Sequence, residues 1–250
     1  MARPSFHPLR GSITFPPAMI LIPQSVRDGF LKAVGPIARA AIRAGFTPNV
    51  ITTFGAAVVV GSAVAYWQGF PRWGGALLLA SGLFDILDGQ VARLGTLSTK
   101  FGAFYDSTLD RIGESAVFLG IAIWFIHDGV PESQRDIGVG LAIVALAASL
   151  LVSYTRARAE GLGLEAKVGI AQRAERFLVL GAPTLFFGAG NNGQLLFWIM
   201  AILAVTTTIT VIQRVVHVAR VADRPAGAPP TAARKRDTLA GHPAVLRKGP

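Results

Sequence analysis

Six stretches of this chain, roughly 49–70, 73–94, 101–126, 137–157, 177–190 and 195–218, are apolar enough to leave few options for folding. Each is judged against the ~20 apolar residues that cross a bilayer core. In hydrocarbon every backbone N–H and C=O must find its partner within the protein, and a helix achieves this within one segment. The expected fold class is therefore all-α, a polytopic integral membrane protein with six transmembrane helices. The fifth stretch is the weakest, being short and carrying Pro183, although a helix beginning near Ala171 would be long enough. A content of 52% hydrophobic and only 15% charged residues agrees with a membrane domain and excludes an ordinary soluble one.

Charge placement tests this layout independently, because Lys and Arg concentrate on the cytoplasmic side of short loops. The N-terminal region, the turn with Arg93 and Lys100, the loop from Arg156 to Arg176 and the C-terminal tail hold nearly all of them. The opposite loops have only Arg72 and Arg135, beside Asp128, Glu132 and Asp136, and residues 188–193 carry no charge. Both termini are expected in the cytoplasm. Before the first span, Val26, Phe30, Val34, Ile37, Ala38, Ala41 and Ile42 recur at helical spacing, with Arg27, Lys32, Arg39 and Arg43 mostly elsewhere around the helix. This predicts an amphipathic helix lying in the membrane interface. The apolar residues from Ile13 to Ile22 are broken by Pro16 and Pro17 and stopped by Pro23, so no cleavable signal is expected and later spans must direct insertion. The expected organisation is a poorly ordered segment 1–24, a membrane domain 25–221 and a disordered basic cytoplasmic tail 222–250.

A formal net charge of +10 raises nucleic acid as a partner, but no basic stretch is interleaved with aromatics on a soluble fold. Anionic lipid headgroups and phosphorylated substrates account for it better. The absence of cysteine excludes disulfides and thiolate metal sites, and the four scattered histidines have no zinc-type spacing.

Against this background Asp85, Asp88, Asp106 and Asp110 are conspicuous, four of only fourteen acidic residues, placed inside or beside two of the most apolar stretches. Carboxylates at bilayer depth persist mainly where they face a wet interior and meet cations. Asp85 and Asp88 are three apart, with Gly89 and Ala92 continuing that stripe to Arg93; Gly102, Asp106 and Asp110 follow at steps of four on the next span. A short polar connection makes the two helices antiparallel neighbours. Four carboxylates without a matching excess of nearby Lys or Arg call for hard divalent cations, with two ions neutralising the four charges. Such a pair serves in-line displacement at phosphorus. The small residues would then admit a nucleotide diphosphate; ordinary small-residue helix packing is the competing explanation. A proton or ion pathway in a transporter is the competing explanation of the acids.

The full spacing, Asp85, two residues, Asp88-Gly89, two residues, Ala92-Arg93, eight residues, Gly102, three residues, Asp106, three residues, Asp110, resembles the signature of the CDP-alcohol phosphotransferase family without departure. The resemblance extends over roughly residues 25–220, since that family has an interfacial helix followed by six spans. It implies transfer of a phosphatidyl group from CDP-diacylglycerol, or of a phospho-alcohol from a CDP-alcohol, with release of CMP. By that analogy Asp85, Asp88, Asp106 and Asp110 ligate two Mg²⁺, or Mn²⁺, and Asp110 is also the base for the acceptor hydroxyl. Asp88, Gly89, Ala92, Arg93 and Gly102 would face the nucleotide. A Pro-Asn-x-x-Thr element matches Pro48, Asn49 and Thr52 and adds Asn49 and Thr52 to that set; without the resemblance, Thr47 before Pro48 is simply a helix cap. A homodimer embedded among membrane lipids is also implied.

The loop after the fourth span bears on the acceptor. Ser153, Tyr154, Arg156, Ala157, Arg158, Ala159 and Glu160, then Gln172, Arg173, Glu175 and Arg176, put a basic cluster on the side of the aspartates. An anionic acceptor needs that charge more than a neutral alcohol does; positive-inside topology alone is the plainer explanation. The stretch is similar to segments of phosphatidylinositol phosphate synthases, which implies that Ser153, Arg156, Arg173 and Arg176 grip the phosphate of inositol phosphate. Gln172 and Ala174 depart from that pattern, where an acidic residue and a proline are usual. Glycerol 3-phosphate is the alternative acceptor.

Overall fold

The computed structural model describes residues 24–222 except Lys167, without the side chains of residues 24–32 and Asp128. The expected N-terminal segment and basic tail, but for Gln24 and Ala222, lie outside the described residues, as do the side chains of Val26 and Phe30 from the expected apolar stripe. Among the described residues there is no strand. The order is α1 (Gln24–Arg43), α2 (Pro48–Trp67), α3 (Pro71–Leu94), α4 (Lys100–Trp124), a π turn (Phe125–Gly129), α5 (Glu132–Gly161), α6 (Arg173–Phe187), a 3₁₀ turn (Asn191–Gly193) and α7 (Gln194–Ala222).

Local chemistry sets most of these boundaries. Pro48 and Pro71 open α2 and α3, where the missing N–H has no intrahelical acceptor to serve. Thr99 caps α4 by accepting from the Gly102 N–H at 2.9 Å. Thr47 occupies the corresponding place before α2 in an extended conformation but makes no side-chain capping bond, so Pro48 marks that start more than the threonine does. A reciprocal capping box starts α6, with the Gln172 backbone N–H donating to Glu175 at 2.9 Å.

Four segments are long and apolar enough to cross a membrane: Pro48–Trp67, Pro71–Leu94, Glu132–Gly161 and Asn191–Ala222. The protein is an integral membrane protein of all-helical fold. α4 has the length, but Asp106, Asp110, Arg111 and Glu114 dilute its apolar character. At 15 residues, α6 falls short of the expected span, because the Gln172 capping box starts it two residues after Ala171 and Phe187 ends it. Most of the apolar helical surface points outward, with Phe54, Trp73, Phe104, Leu119, Ile143, Trp198 and Ile202 exposed as a lipid-facing side requires.

α2 packs along both α3 and α4; α3 also packs on α6, α5 on α7, and α4 on α5. A Cβ on Gly55 would come within 2.9 Å of the Phe84 Cβ, and one on Gly113 within 2.8 Å of a Val59 methyl. These close approaches hold α3 and α4 against the same post, which is what brings their acidic stripes together. Val59, Tyr66, Leu78, Ile121, Phe125, Leu196 and Met200 lie in the core beyond the acids. The Tyr66 and Thr184 hydroxyls within it bond each other at 2.7 Å. α1 lies against α3, where Ala38, Ala41 and Ile42 pack with Ile51 and Val91, while Ile37 of the same stripe is exposed.

Candidate active site

The two acidic stripes converge. Asp85, Asp88, Gly89, Ala92 and Arg93 lie in the C-terminal half of α3, and Gly102, Asp106 and Asp110 in the N-terminal half of α4. Asp88 and Asp106 line one cavity, and a single arginine reaches both Asp85 and Asp110. Asp88 is buried and accepts from the Thr52 hydroxyl of α2 at 2.7 Å, so the threonine of the Pro-Asn-x-x-Thr element orients one of the four acids. Arg173, first residue of α6, donates through Nη1 to Asp85 and forms an ion pair through Nη2 with Asp110 at 3.0 Å, and its guanidinium lies 4.5 Å from the centre of the Phe177 ring.

Two cavities adjoin this centre and share Ala103 and Asp106. The smaller, about 160 Å³, is walled by α2, α3 and α4 and is lined by Asn49, Thr52, Asp88, Gly89, Ala92 and Gly102 among others. A Cβ on Gly102 would sit 3.1 Å from the Asn49 Oδ1, so that glycine keeps the wall between α2 and α4 thin. Every residue expected at the nucleotide lines this chamber except Arg93, which is exposed and lies alongside Gly89. The larger cavity, about 600 Å³, is lined by residues of α4, α5, α6 and α7. Ser153, Arg156, Arg173 and Arg176 all belong to its wall, together with Asp110.

The four differ in what their side chains hold. Arg156 pairs with Glu160 at 2.9 Å, both about half exposed. Arg176 is buried and bidentate to Glu114, at 2.6 and 2.9 Å, and its remaining guanidinium nitrogen donates to the Ala171 carbonyl at 2.6 Å. A buried pair of this geometry positions helices, and it leaves Arg176 few donors for anything else. Glu114 was not among the expected residues although it is the next rung of the ladder that runs through Asp106 and Asp110. Arg214 was missed as well: buried in α7, it donates to the carbonyls of Val152 and, at 2.8 Å, Val168, tying the walls of the larger cavity together. An arginine late in an apolar span was the available signal.

As placed, no three acidic or histidine side chains among the described residues are gathered tightly enough to hold one ion between them. The donor set is nonetheless all oxygen and carries a positively charged group at its middle, Arg173. Oxygen-only carboxylate sites of this kind suit Mg²⁺, Mn²⁺ or Ca²⁺ and disfavour softer metals.

Such a layout, two chambers flanking one acidic centre inside a helical membrane domain, is that of a membrane-embedded group-transfer enzyme. The profile of the CDP-alcohol phosphatidyltransferase family matches residues 46–210, and the chain belongs to that family and is a transferase. It is 37% identical over 189 residues to a phosphatidylinositol phosphate synthase of Mycobacteroides abscessus, covering 75% of this chain and 84% of that one. Among solved structures it resembles Mycobacterium tuberculosis phosphatidylinositol phosphate synthase with CDP-DAG bound, at a TM-score of 0.67 and 33% identity, over 75% of this chain and 94% of that chain. The same enzyme in complex with manganese and citrate aligns with a TM-score of 0.67 and 33% identity, over 77% and 93% of the two chains.

Proposed function

We propose that this chain works in phospholipid biosynthesis, transferring the phosphatidyl group of CDP-diacylglycerol to a hydroxyl of inositol phosphate and releasing CMP. The observation that carries this reading is the sharing of Asp106 by a small-residue chamber on one side and a basic chamber on the other. The nucleotide belongs in the first, against Gly89, Ala92 and Gly102 and beside Asn49 and Thr52, with Arg93 at its edge. The acceptor phosphate belongs in the second, near Ser153, Arg156 and Arg173; Arg176 contributes by shaping the wall. Phosphatidylinositol phosphate synthases among the relatives support the acceptor.

Asp85, Asp88, Asp106 and Asp110 hold two Mg²⁺ or Mn²⁺ ions, supported by their oxygen-only donor set and by the manganese complex of the M. tuberculosis relative. When bound, the ions neutralise the diphosphate and stabilise the entering and leaving oxygens. Asp110 takes the proton of the acceptor hydroxyl as its oxygen attacks the β-phosphorus, and the bond from that phosphorus to the bridging oxygen breaks, so CMP leaves with that oxygen. Thr52 keeps Asp88 oriented throughout. Alignment of reactants contributes more than base strength, because a carboxylate beside divalent cations is a weak base.

The reading includes six membrane-spanning helices after an interfacial α1, a membrane domain 25–221, a homodimer, and placement in the cytoplasmic membrane with termini and site on the cytoplasmic side. The distribution of Lys and Arg supports that orientation. The deciding experiment incubates membranes bearing the protein with CDP-diacylglycerol and either inositol phosphate or glycerol 3-phosphate. Phosphatidylinositol phosphate with CMP is expected; phosphatidylglycerophosphate would assign the other acceptor, and ion flux without CMP release would make the protein a transporter.

A further inference from the structure

Arg173 stands where the two halves of the site meet, and two partners require its place. The Asp85 and Asp110 oxygens it holds are among those the divalent ions need under the proposed function, while Arg173 is itself part of the wall of the chamber assigned to the acceptor phosphate. A guanidinium fork suits carboxylate and phosphate equally well, but a divalent cation on the same carboxylates repels it. Its present partners also leave it incompletely bonded: the buried Nε has no hydrogen-bond partner. A phosphate, with several acceptor oxygens, would supply one. Arg176, three residues on, differs in this respect, since Glu114 and the Ala171 carbonyl take up all three of its nitrogens.

We propose that Arg173 couples the two halves of the site: it serves as an internal cation for Asp85 and Asp110, gives up those oxygens to the divalent ions, and turns to the acceptor phosphate. Metal and acceptor then strengthen each other's binding, because each favours the arrangement the other needs, and the coupling is reciprocal. Arg173 thus has a positioning role beyond simple anion binding. It also sets an order in which an acceptor is gripped well only after the metal site has filled, which limits acceptor binding to a site ready to react. This inference rests on the metal-binding role proposed for the aspartates.

The test is Mn²⁺ binding to the purified full chain in detergent, read by electron paramagnetic resonance of free Mn²⁺, with and without inositol phosphate. Arg173→Gln is expected to raise Mn²⁺ affinity about tenfold without acceptor, within the range usual for coupled sites. Inositol phosphate is expected to tighten Mn²⁺ binding in the wild type and to lose that effect in Arg173→Gln. Unchanged or weaker Mn²⁺ binding in Arg173→Gln, or an acceptor effect that persists in it, overturns the coupling. Should that variant not fold, the wild type carries the test, and no tightening by inositol phosphate overturns the idea. Asp110→Asn separates the two levels. If it binds Mn²⁺ as the wild type does, the metal-site reading fails; if it binds weakly while Arg173→Gln is unaltered, only the coupling fails.

Discussion

The two chambers beside Asp106 are built in opposite ways. The smaller one is lined from residues 48–106, close in sequence, and its character comes from small side chains and from Asn49 and Thr52. The larger draws on four helices between residues 103 and 214, and five arginines stand in its wall. Counting those arginines overstates the charge on offer, because Glu114 and backbone carbonyls hold Arg176 and Arg214 as struts. One chamber is thus defined by what its residues leave out. In the other, the partners of each cation decide which of them an incoming anion can reach.

Variants can break this contrast or sharpen it. Asp110→Asn strikes the acidic centre where it meets the larger chamber and should lower CMP release by about 10³-fold, the scale of a lost acid–base group. Circular dichroism should show its helices unchanged. Chelating divalent cations should stop the wild type too, with recovery on adding Mg²⁺. Glu114→Gln leaves the buried Arg176 without its counter-charge and should cost about 3 kcal/mol of stability, seen as a lower Tm. Replacing both partners with methionine should cost less, which would assign the loss in Glu114→Gln to the stranded charge; an equal loss would mean that the ion pair itself holds the helices together. Gly102→Leu should fill the smaller chamber and lower kcat/KM for CDP-diacylglycerol by about 100-fold through misplacement of the donor, leaving acceptor KM near its normal value. Arg156→Ala removes a half-exposed pair worth no more than about 1 kcal/mol, so Tm should hold while acceptor KM rises several-fold. An unchanged acceptor KM would take Arg156 out of the anion site.

Much of this site was legible because its acids break the rule of their surroundings. Asp85, Asp88, Asp106 and Asp110 stand out in apolar helices, and steps of three and four put them on one face of each helix before any packing is considered. Gly89, Ala92 and Gly102 in the smaller chamber followed from the same spacing, whereas Asn49 and Thr52 followed only from the resemblance of Pro48, Asn49 and Thr52 to the family's Pro-Asn-x-x-Thr element. Glu114 obeys the same four-residue step but went unread, since its partner lies 62 residues away and pairing at that separation leaves no local pattern. Arg214 is similar: its acceptors are backbone carbonyls, which no residue type reveals. The short α6 shows a different limit, because hydropathy located an apolar stretch while the capping box of Gln172 and Glu175 determined where the helix begins.

By itself the sequence determined the all-helical membrane fold, the apolar stretches and the two acidic faces, because hydropathy and helical period act over a few neighbouring residues. Only the tertiary structure decided how the charges are shared out. Arg173 bridging Asp85 to Asp110, Arg176 enclosed by Glu114, and Arg214 joining α5 to the α5–α6 loop all depend on contacts between helices distant in the chain. Electrostatic partnership is set by distance in space and by burial, and neither is written in the order of the residues.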